Sequence, residues 1–262
     1  MTKQYFITDL FGIDGFNIAW YGVIIAIGMI IGLLFACKNA KRQGIKEELI
    51  VDFVLFALPI SIIGARIYYV IFEWDNYKDH LIKIFAIREG GLAIYGGIIA
   101  GFLSAILYCN RKKISLLEFL DIAVPSLAIG QSIGRWGNFT NQEAYGSLIT
   151  DYSKQFFPYG VYIEALGEWH QATFFYESLF NFLLFLFLYE YSKRKAFHGQ
   201  IFDFYLIGYG VARTFLEGLR VDSLYLGYNI RISQMVSLLM VLIGCALLFR
   251  GRKNRKHQRF LP

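Results

Sequence analysis

The sequence predicts an all-α membrane protein, on three observations. Hydrophobic residues make up 56% of the 262 residues and charged residues only 18%, whereas soluble domains average about 25% charged residues. The mean hydropathy is positive, at +0.45. The apolar residues form long runs, such as the uncharged segment 17–36, which can cross a hydrocarbon core of about 30 Å as a helix. Together these observations exclude a water-soluble, disordered or fibrous chain.

Counting apolar windows predicts seven transmembrane helices within a single polytopic membrane domain, residues 1–262. The predicted spans are 17–37, 49–73, 91–110, 115–138, 171–192, 199–217 and 231–250. The connection 139–170 between helices four and five is too long for a simple turn. We expect it to form a small extracytoplasmic head.

Lysine and arginine residues cluster directly after helices one, three, five and seven. The clusters are Lys38, Lys41, Arg42 and Lys46; Arg111, Lys112 and Lys113; Lys193, Arg194 and Lys195; and Arg250, Arg252, Lys253, Arg255, Lys256 and Arg259. Cytoplasmic loops carry such an excess of cations, so the N-terminus should lie outside and the C-terminus in the cytoplasm. The net charge of +6 therefore indicates contact with membrane lipid, and no nucleic acid partner is expected.

Cysteine and histidine residues predict neither disulfides nor a metal site. Cys37, Cys109 and Cys245 lie at the inner ends of predicted helices, near the reducing cytoplasm. The four histidines lie in loops, where they cannot form a membrane-embedded triad or zinc motif. We expect no metal and no cofactor.

Polar side chains inside the predicted helices are expensive in lipid, so each one indicates a possible functional site. With the orientation above, most of them fall in one layer in the outer half of the membrane. They are Tyr21, Arg66, Tyr95, Arg135, Asn138, Tyr176, Glu177, Arg213, Glu217 and Gln234. A proton or ion pathway would place such groups on both sides of the midplane, which this layer does not.

Helical spacing groups some of these residues into two stripes. One stripe is Arg213, Glu217 and Arg220, and the other is Arg135, Asn138 and Gln142. For the first, a buried ion pair that only fixes helix packing is an open alternative to a functional site.

The predicted polar layer and the residues next to it contain more arginines than carboxylates. If Arg213 pairs with Glu217, the other three arginines, Arg66, Arg135 and Arg220, would compete for too few carboxylates, chiefly Glu143, Glu177 and Glu217. This excess predicts an anionic ligand, and a phospholipid phosphate suits the planar fork of arginine.

Residues 134–146 read G-R-W-G-N-F-T-N-Q-E-A-Y-G. This segment resembles the G-R-x-G-N-F-x-N-x-E-x-[WY]-G signature of the bacterial prolipoprotein diacylglyceryl transferases. Further resemblances follow the order of that family through nearly the whole chain. They are Trp20-Tyr21-Gly22, Gly64-Ala65-Arg66, Glu89-Gly90-Gly91-Leu92 with Gly96-Gly97, Tyr176-Glu177-Ser178, Tyr209-Gly210 and Ser233-Gln234.

The resemblance implies a seven-helix enzyme of the bacterial cytoplasmic (inner) membrane. Such an enzyme transfers the diacylglyceryl group of phosphatidylglycerol to the lipobox cysteine thiol of a prolipoprotein signal peptide, releasing glycerol phosphate. This is the first step of lipoprotein maturation. The alternatives are less well supported, because a transporter should show discontinuous helices near the midplane and a receptor or scaffold needs no arginine cluster.

The resemblance also assigns roles to residues. Catalytic roles fall to Arg135, Arg213, Glu217, Tyr95 and Asn138, and phosphatidylglycerol binding to Arg135, Arg66, Arg220, Tyr21, Glu143, Gly146 and Gln234. Well-known members carry a histidine, proposed as the thiol base, where this chain has Tyr95. Because the ordinary pKa of tyrosine is about 10, we expect the arginines to lower the thiol pKa and Tyr95 to donate a hydrogen bond. The head either gates the signal peptide or is an inert interfacial loop, and the sequence leaves both open.

Overall fold

The computed structural model describes residues 5–10, 17–87, 90–221, 225–226 and 230–258. Seven α-helices lie in this part of the chain. They are α1 (Trp20–Arg42), α2 (Glu47–Phe72), α3 (Ile94–Lys112), α4 (Leu116–Asn141), α5 (Thr173–Tyr191), α6 (Gln200–Leu219) and α7 (Ile232–Gln258). Each overlaps one predicted span over most of its length.

Five of these helices, α1 to α4 and α7, are long and apolar enough to cross a membrane. The chain is therefore a multi-pass membrane protein. The other two helices, α5 and α6, carry polar side chains among their apolar ones. These side chains are Glu177 and Asn181 in α5, and Asp203, Arg213 and Glu217 in α6.

The fold is mainly helical, as predicted, and three short antiparallel strand pairs also occur between or before the helices of the described chain. They are β1 (Tyr5–Ile7) with β2 (Ile18–Ala19), β3 (Gly160–Ile163) with β4 (Glu168–Gln171), and β5 (Tyr225–Leu226) with β6 (Ile230–Arg231). The β3–β4 pair is a regular hairpin with a turn at 164–167. It lies within the predicted head and ends one residue beyond it.

The chain divides into two compact units. The first contains Met1–Ala36 and Leu120–Pro262, and the second contains Cys37–Phe119. In the first unit, apolar side chains of α4, α5 and α6 form a core. Its members include Val124, Ala128, Leu184, Leu188 and Ile201.

Reciprocal hydrogen bonds fix the register of α4 against α5. The Ser132 hydroxyl contacts the Ser178 carbonyl at 2.8 Å, and the Ser178 hydroxyl contacts the Ser132 carbonyl at 2.8 Å. Trp136 Nε1 donates to Ser178 Oγ at 3.0 Å. Because Ser178 follows Glu177 directly, these bonds also set the position of that carboxylate.

A buried carboxylate fixes the start of α6. Asp121 is fully buried, and its oxygens accept hydrogen bonds from the backbone N–H groups of Gly199, Ile201 and Phe202 at 2.8 to 3.0 Å. Lys195 Nζ lies 3.1 Å from the same carboxylate. A carboxylate at a helix N-terminus satisfies otherwise unpaired N–H groups. Its negative charge also interacts favourably with the positive end of the helix dipole.

In the second unit, α2 and α3 approach closely at two glycines. A methyl group on Gly96 would lie 2.4 Å from the carbonyl oxygen of Gly64. Two short 3₁₀ turns, Trp74–Asn76 and Leu81–Phe85, follow α2. The close crossing places Arg66 and Tyr95 near the same ends of the two helices.

Candidate active site

Two arginines from different helices contact one glutamate. Arg135 of α4 places Nη2 2.5 Å from Oε1 of Glu177 in α5. Arg213 of α6 places Nη1 3.0 Å from Oε2 of the same carboxylate. Glu177 is 5% exposed, and a buried charge requires such partners. Three helices therefore converge on a single buried carboxylate.

Glu217 supplies a second buried carboxylate. Its Oε2 lies 2.8 Å from Nη2 of Arg213, one turn earlier in α6. Its backbone carbonyl accepts a hydrogen bond from Arg231. The ion pair that the sequence left open as an alternative is therefore present in the structure.

The ion pairs around Glu177 contain no excess of arginine over carboxylate. The predicted excess also counts Arg66 and Arg220, and it stays a prediction. Arg135, Glu177, Arg213 and Glu217, hereafter the arginine–glutamate cluster, contain as many positive as negative charges. Both guanidinium groups can still be reached, since the two arginine side chains are 20% and 14% exposed. Each guanidinium has five N–H donors, and the carboxylates engage only part of them.

The signature segment extends this polar network along α4. Arg135 Nη1 donates to Asn138 Oδ1 at 3.2 Å, and Asn138 Nδ2 donates to Glu143 Oε1 at 2.8 Å. Asn141 Nδ2 lies 3.4 Å from the same Glu143 oxygen. Asn138 therefore links the arginine–glutamate cluster to Glu143.

The last residue of each predicted helical stripe lies outside its helix, because α4 ends at Asn141 and α6 ends at Leu219. Gln142 lies beyond α4 in a left-handed conformation with a φ of 52°. Arg220 lies beyond α6 in an extended conformation, with φ −78° and ψ 145°. The backbone of Arg220 instead forms a bridge to Gly146, which brings this arginine beside the signature segment.

Gly146 lies where the signature segment meets the head. Its N–H donates to the Gln171 carbonyl at 2.9 Å, and its own carbonyl lies 2.8 Å from Nδ1 of buried His170. A methyl group on Gly146 would lie 2.8 Å from Gln171 Cβ and 2.9 Å from Thr173 Cγ2. Only glycine allows this close packing, which gives Gly146 a structural role beside its predicted role in lipid binding.

Replacing Gly146 with alanine should lower the thermal stability of the purified protein and its activity together. Overpacking of this kind costs about 1–3 kcal/mol. Gly130→Ala is a matched control, since its added methyl would lie no closer than 3.7 Å to the contacting atom of another element. Equal melting temperatures for the two variants would contradict the packing role of Gly146.

The head is built on the β3–β4 hairpin. Ile149 N–H donates to the Trp169 carbonyl at 2.7 Å, and Gln171 N–H donates to the Ser147 carbonyl at 3.0 Å. The segment 146–149 therefore runs along β4 like a third strand. Large aromatic side chains of the head are exposed, among them Tyr152, Phe156, Phe157, Tyr159 and Tyr162.

Tyr21 and Gln234 contact the helices that carry the cluster. A methyl group on Gly137 would lie 2.7 Å from the Tyr21 ring, so the glycine admits this ring against α4. Gln234 Nε2 donates to the Thr214 carbonyl at 3.0 Å, which ties α7 to α6. Tyr21 therefore packs against α4 and Gln234 binds α6, two of the helices that carry the arginine–glutamate cluster.

Arg66 and Tyr95 belong to the second compact unit. Arg66 is buried, and its guanidinium donates to backbone carbonyls of residues 83, 84, 90 and 91. Tyr95 is half-buried in the first turn of α3. The contacts of Arg66 give it a role in holding the backbone, besides the predicted role in phosphate binding.

The resemblance assigns no catalytic or lipid-binding role to Glu177, although this residue lies in the predicted polar layer and is the shared partner of both arginines. The only sequence signals for it are its place within an apolar helix and the Tyr176-Glu177-Ser178 resemblance. His170, which contacts Gly146, carries no local signal at all. Its role depends on the hairpin that brings it to the signature segment.

Five long apolar helices and a neutral, largely buried arginine–glutamate cluster define a multi-pass membrane protein with a polar site among α4, α5 and α6. In the described residues, no group of three His, Cys, Asp or Glu side chains could hold a metal ion.

The chain belongs to the prolipoprotein diacylglyceryl transferase family, whose model matches residues 8–250. It is 48% identical over 245 residues to the phosphatidylglycerol–prolipoprotein diacylglyceryl transferase of Finegoldia magna, covering 93% of this chain and 95% of that protein. Identity to the proteins of the same name is 46% over 243 residues in Streptococcus pyogenes and 44% over 244 residues in Streptococcus agalactiae. These matches cover 91% and 92% of this chain, and 92% and 94% of the relatives. The family resemblance noted in the sequence is confirmed.

Proposed function

We propose that this chain transfers the diacylglyceryl group of phosphatidylglycerol to the lipobox cysteine of prolipoproteins. The thiol sulfur forms a bond to the carbon of the diacylglyceryl group that is attached to the phosphate. The bond from that carbon to the phosphate oxygen breaks. Glycerol phosphate leaves with the electron pair of the broken bond, and the thiol proton is released. The product on the peptide is a thioether.

The arginine–glutamate cluster is the observation that carries this proposal. Departure of glycerol phosphate concentrates negative charge on the phosphate oxygens, and donors already in place stabilise such charge. Arg135 and Arg213 supply these donors, and Glu177 holds both guanidinium groups before the substrate arrives. Planar guanidinium groups suit the geometry of phosphate oxygens.

The remaining residues take supporting roles in this proposal. Glu217 orients Arg213, and Asn138 orients Arg135 while it also contacts Glu143. The other residues to which the resemblance gives a role in binding phosphatidylglycerol are Tyr21, Arg66, Glu143, Gly146, Arg220 and Gln234.

Activation of the thiol is the second requirement of the reaction. The ordinary thiol pKa of about 8.5 leaves little thiolate at neutral pH. We propose that the guanidinium groups of Arg135 and Arg213 lower the thiol pKa where they face the thiol, although the cluster as a whole carries no net charge. In this proposal Tyr95 donates a hydrogen bond, since tyrosine is a poor base at neutral pH.

Replacing Tyr95 with phenylalanine should slow transfer about tenfold or more, because a hydrogen bond to a charged group contributes about 1.5–3 kcal/mol. Single-turnover rates with a lipobox peptide measure this effect. Tyr95→His is the companion variant, since it restores the residue of well-known family members and should keep transfer. An unchanged rate in the phenylalanine variant would exclude a role for the Tyr95 hydroxyl.

We also propose seven spanning helices, with the N-terminus outside and the C-terminus in the cytoplasm of a bacterial cell. The ion pairs of Glu177, Arg213 and Glu217 lower the cost of placing α5 and α6 in lipid. Basic residues in the last turns of α1 and α3 and in the 3₁₀ turn after α5 support the orientation.

For the head, we propose that it gates the signal peptide. The contact between His170 of β4 and Gly146 supports this role, because movement of the hairpin would reach the signature segment directly. An inert interfacial loop is the alternative. If the head is an inert loop, shortening the 164–167 turn to two residues, which still connects both strands, should leave transfer unchanged.

Mixing the purified protein with acyl-labelled phosphatidylglycerol and a lipobox peptide tests the proposed function. We expect label on the cysteine of the peptide, and none on a peptide with serine at that position. No peptide-linked label would remove the enzyme proposal, and accumulation of substrate inside proteoliposomes would indicate transport instead.

A further inference from the structure

His170 of β4 is a buried histidine whose two ring nitrogens face different oxygens. The residue is 6% exposed. Its Nδ1 lies 2.8 Å from the carbonyl oxygen of Gly146, and its Nε2 lies 3.4 Å from Oε2 of Glu168. Because a carbonyl oxygen can only accept a hydrogen bond, Nδ1 carries a proton and donates to Gly146.

The hydrogen bond to Gly146 also sets the orientation of the imidazole ring. Nε2 is buried and makes no hydrogen bond within the described chain. Its contact with Glu168 lacks hydrogen-bond geometry, and the Glu168 side chain is 50% exposed, where ion pairs contribute little. The Tyr145 ring packs on the imidazole with the ring centres 4.6 Å apart. The bond from Nδ1 is therefore the directional contact of this side chain.

Gly146, the acceptor of this bond, connects the head to the end of α6. Its N–H donates to the Gln171 carbonyl at 2.9 Å, and its backbone forms a bridge to Arg220. The Arg220 N–H in turn donates to the Glu217 carbonyl at 3.3 Å. The His170 imidazole therefore holds the carbonyl of a residue whose backbone leads directly to Arg220.

The hairpin of the head is held together without this imidazole. β3 and β4 pair through their backbones, with Val161 opposite His170. The Ile149 N–H donates to the Trp169 carbonyl at 2.7 Å, which joins the segment 146–149 to β4. These bonds use backbone groups only, so they remain when the imidazole is removed. Its removal would free the Gly146 carbonyl while the hairpin stays paired.

We propose that His170 is a positioning residue for the transfer reaction. Its imidazole fixes the Gly146 carbonyl, and through this backbone it holds Gly146 and Arg220 where they bind phosphatidylglycerol. The inference rests on the proposed function and deepens it, because neither the signature segment nor helical spacing gives His170 a role. A residue that acts only on lipid binding changes the KM for phosphatidylglycerol and leaves kcat nearly unchanged.

His170→Phe in the full-length protein tests this role, since it keeps a ring and removes the donor. The KM for phosphatidylglycerol should rise about fivefold or more, because a buried carbonyl loses its donor, whereas general destabilisation would lower kcat. His170→Asn should restore this KM to within about twofold, since its amide nitrogen can replace Nδ1 as the donor. The matched control is His80→Phe, at an exposed histidine between α2 and α3, which should leave KM and kcat unchanged.

Hydrogen exchange of the substrate-free protein gives a second readout that does not depend on transfer. Amides of the segment 144–149 should exchange faster in His170→Phe than in the wild type, while those of β3 keep their protection. Absence of transfer by the wild type would remove the proposed function, and the exchange result would still decide whether His170 holds Gly146. Unchanged exchange at 144–149, or an unchanged lipid KM, would overturn the proposal. Loss of protection throughout the hairpin would also overturn it, since His170 would then be a structural residue of the head.

Discussion

Replacing Arg135 with alanine is expected to lower the rate of diacylglyceryl transfer by about 100- to 1000-fold. Removing one preorganised donor from a developing oxyanion has an effect of this size, about 2.7–4 kcal/mol. Glu177 keeps its bond to Arg213 in this variant, so the fold should survive in detergent. Rates are measured under single-turnover conditions with labelled lipid, beside the thermal unfolding curve.

Two companion variants sharpen this prediction. Arg135→Lys keeps the charge but loses the planar fork, and it should recover only a small part of the rate. Arg111→Ala removes the same side chain from the basic end of α3 and should transfer at the wild-type rate. A fully active Arg135→Ala protein would contradict the proposed role of the cluster.

Glu177→Gln should reduce both stability and transfer. The change removes the carboxylate that Arg135 and Arg213 share and leaves two buried cations with Glu217 alone. Breaking a buried ion pair costs about 3–5 kcal/mol, so the melting temperature should fall. Transfer should also fall by at least about tenfold, because the two guanidinium groups lose their common anchor.

Glu190→Gln is the matched control on the same helix. Glu190 pairs with Lys193 on the surface, where its side chain is 65% exposed, and such pairs contribute at most about 1 kcal/mol. The two variants change the same chemical group at buried and exposed positions. Equal melting temperatures for them would mean that Glu177 is not the anchor of the site.

The helices could be predicted because their signal is local. Each span is an apolar segment that is long enough to cross a membrane. Clusters of basic residues follow spans one, three, five and seven. The β3–β4 hairpin could not be predicted in this way, because its strands are four residues long and mix polar with aromatic side chains. Such strands show no alternation long enough to recognise.

The sequence predicted most residues of the site but fewer of the contacts between them. Arg135, Asn138, Arg213 and Glu217 do form one network with Glu177. Helical spacing predicted the Arg213–Glu217 pair, because i and i+4 share a face. It could not show that Glu177 joins α4 to α6, since that contact depends on how three separate helices pack.

Charge balance was the least predictable property of the site. Counting residues predicted an excess of arginines over the whole polar layer, and within that layer Glu177 and Glu217 balance Arg135 and Arg213. Arg66 instead lacks a carboxylate among the described residues. Its partners are carbonyls of a connection that includes two left-handed glycines, and a backbone partner leaves no sign in a count of acidic side chains.

Transfer from doubly labelled phosphatidylglycerol tests the central claim most directly. The lipid carries one label in its acyl chains and a phosphorus label in its headgroup, and the acceptor is a lipobox peptide. The account predicts one acyl-labelled diacylglyceryl group on each modified cysteine, released together with one phosphorus-labelled glycerol phosphate. Phosphorus label on the peptide, or acyl label on the peptide without an equal release of glycerol phosphate, would contradict it.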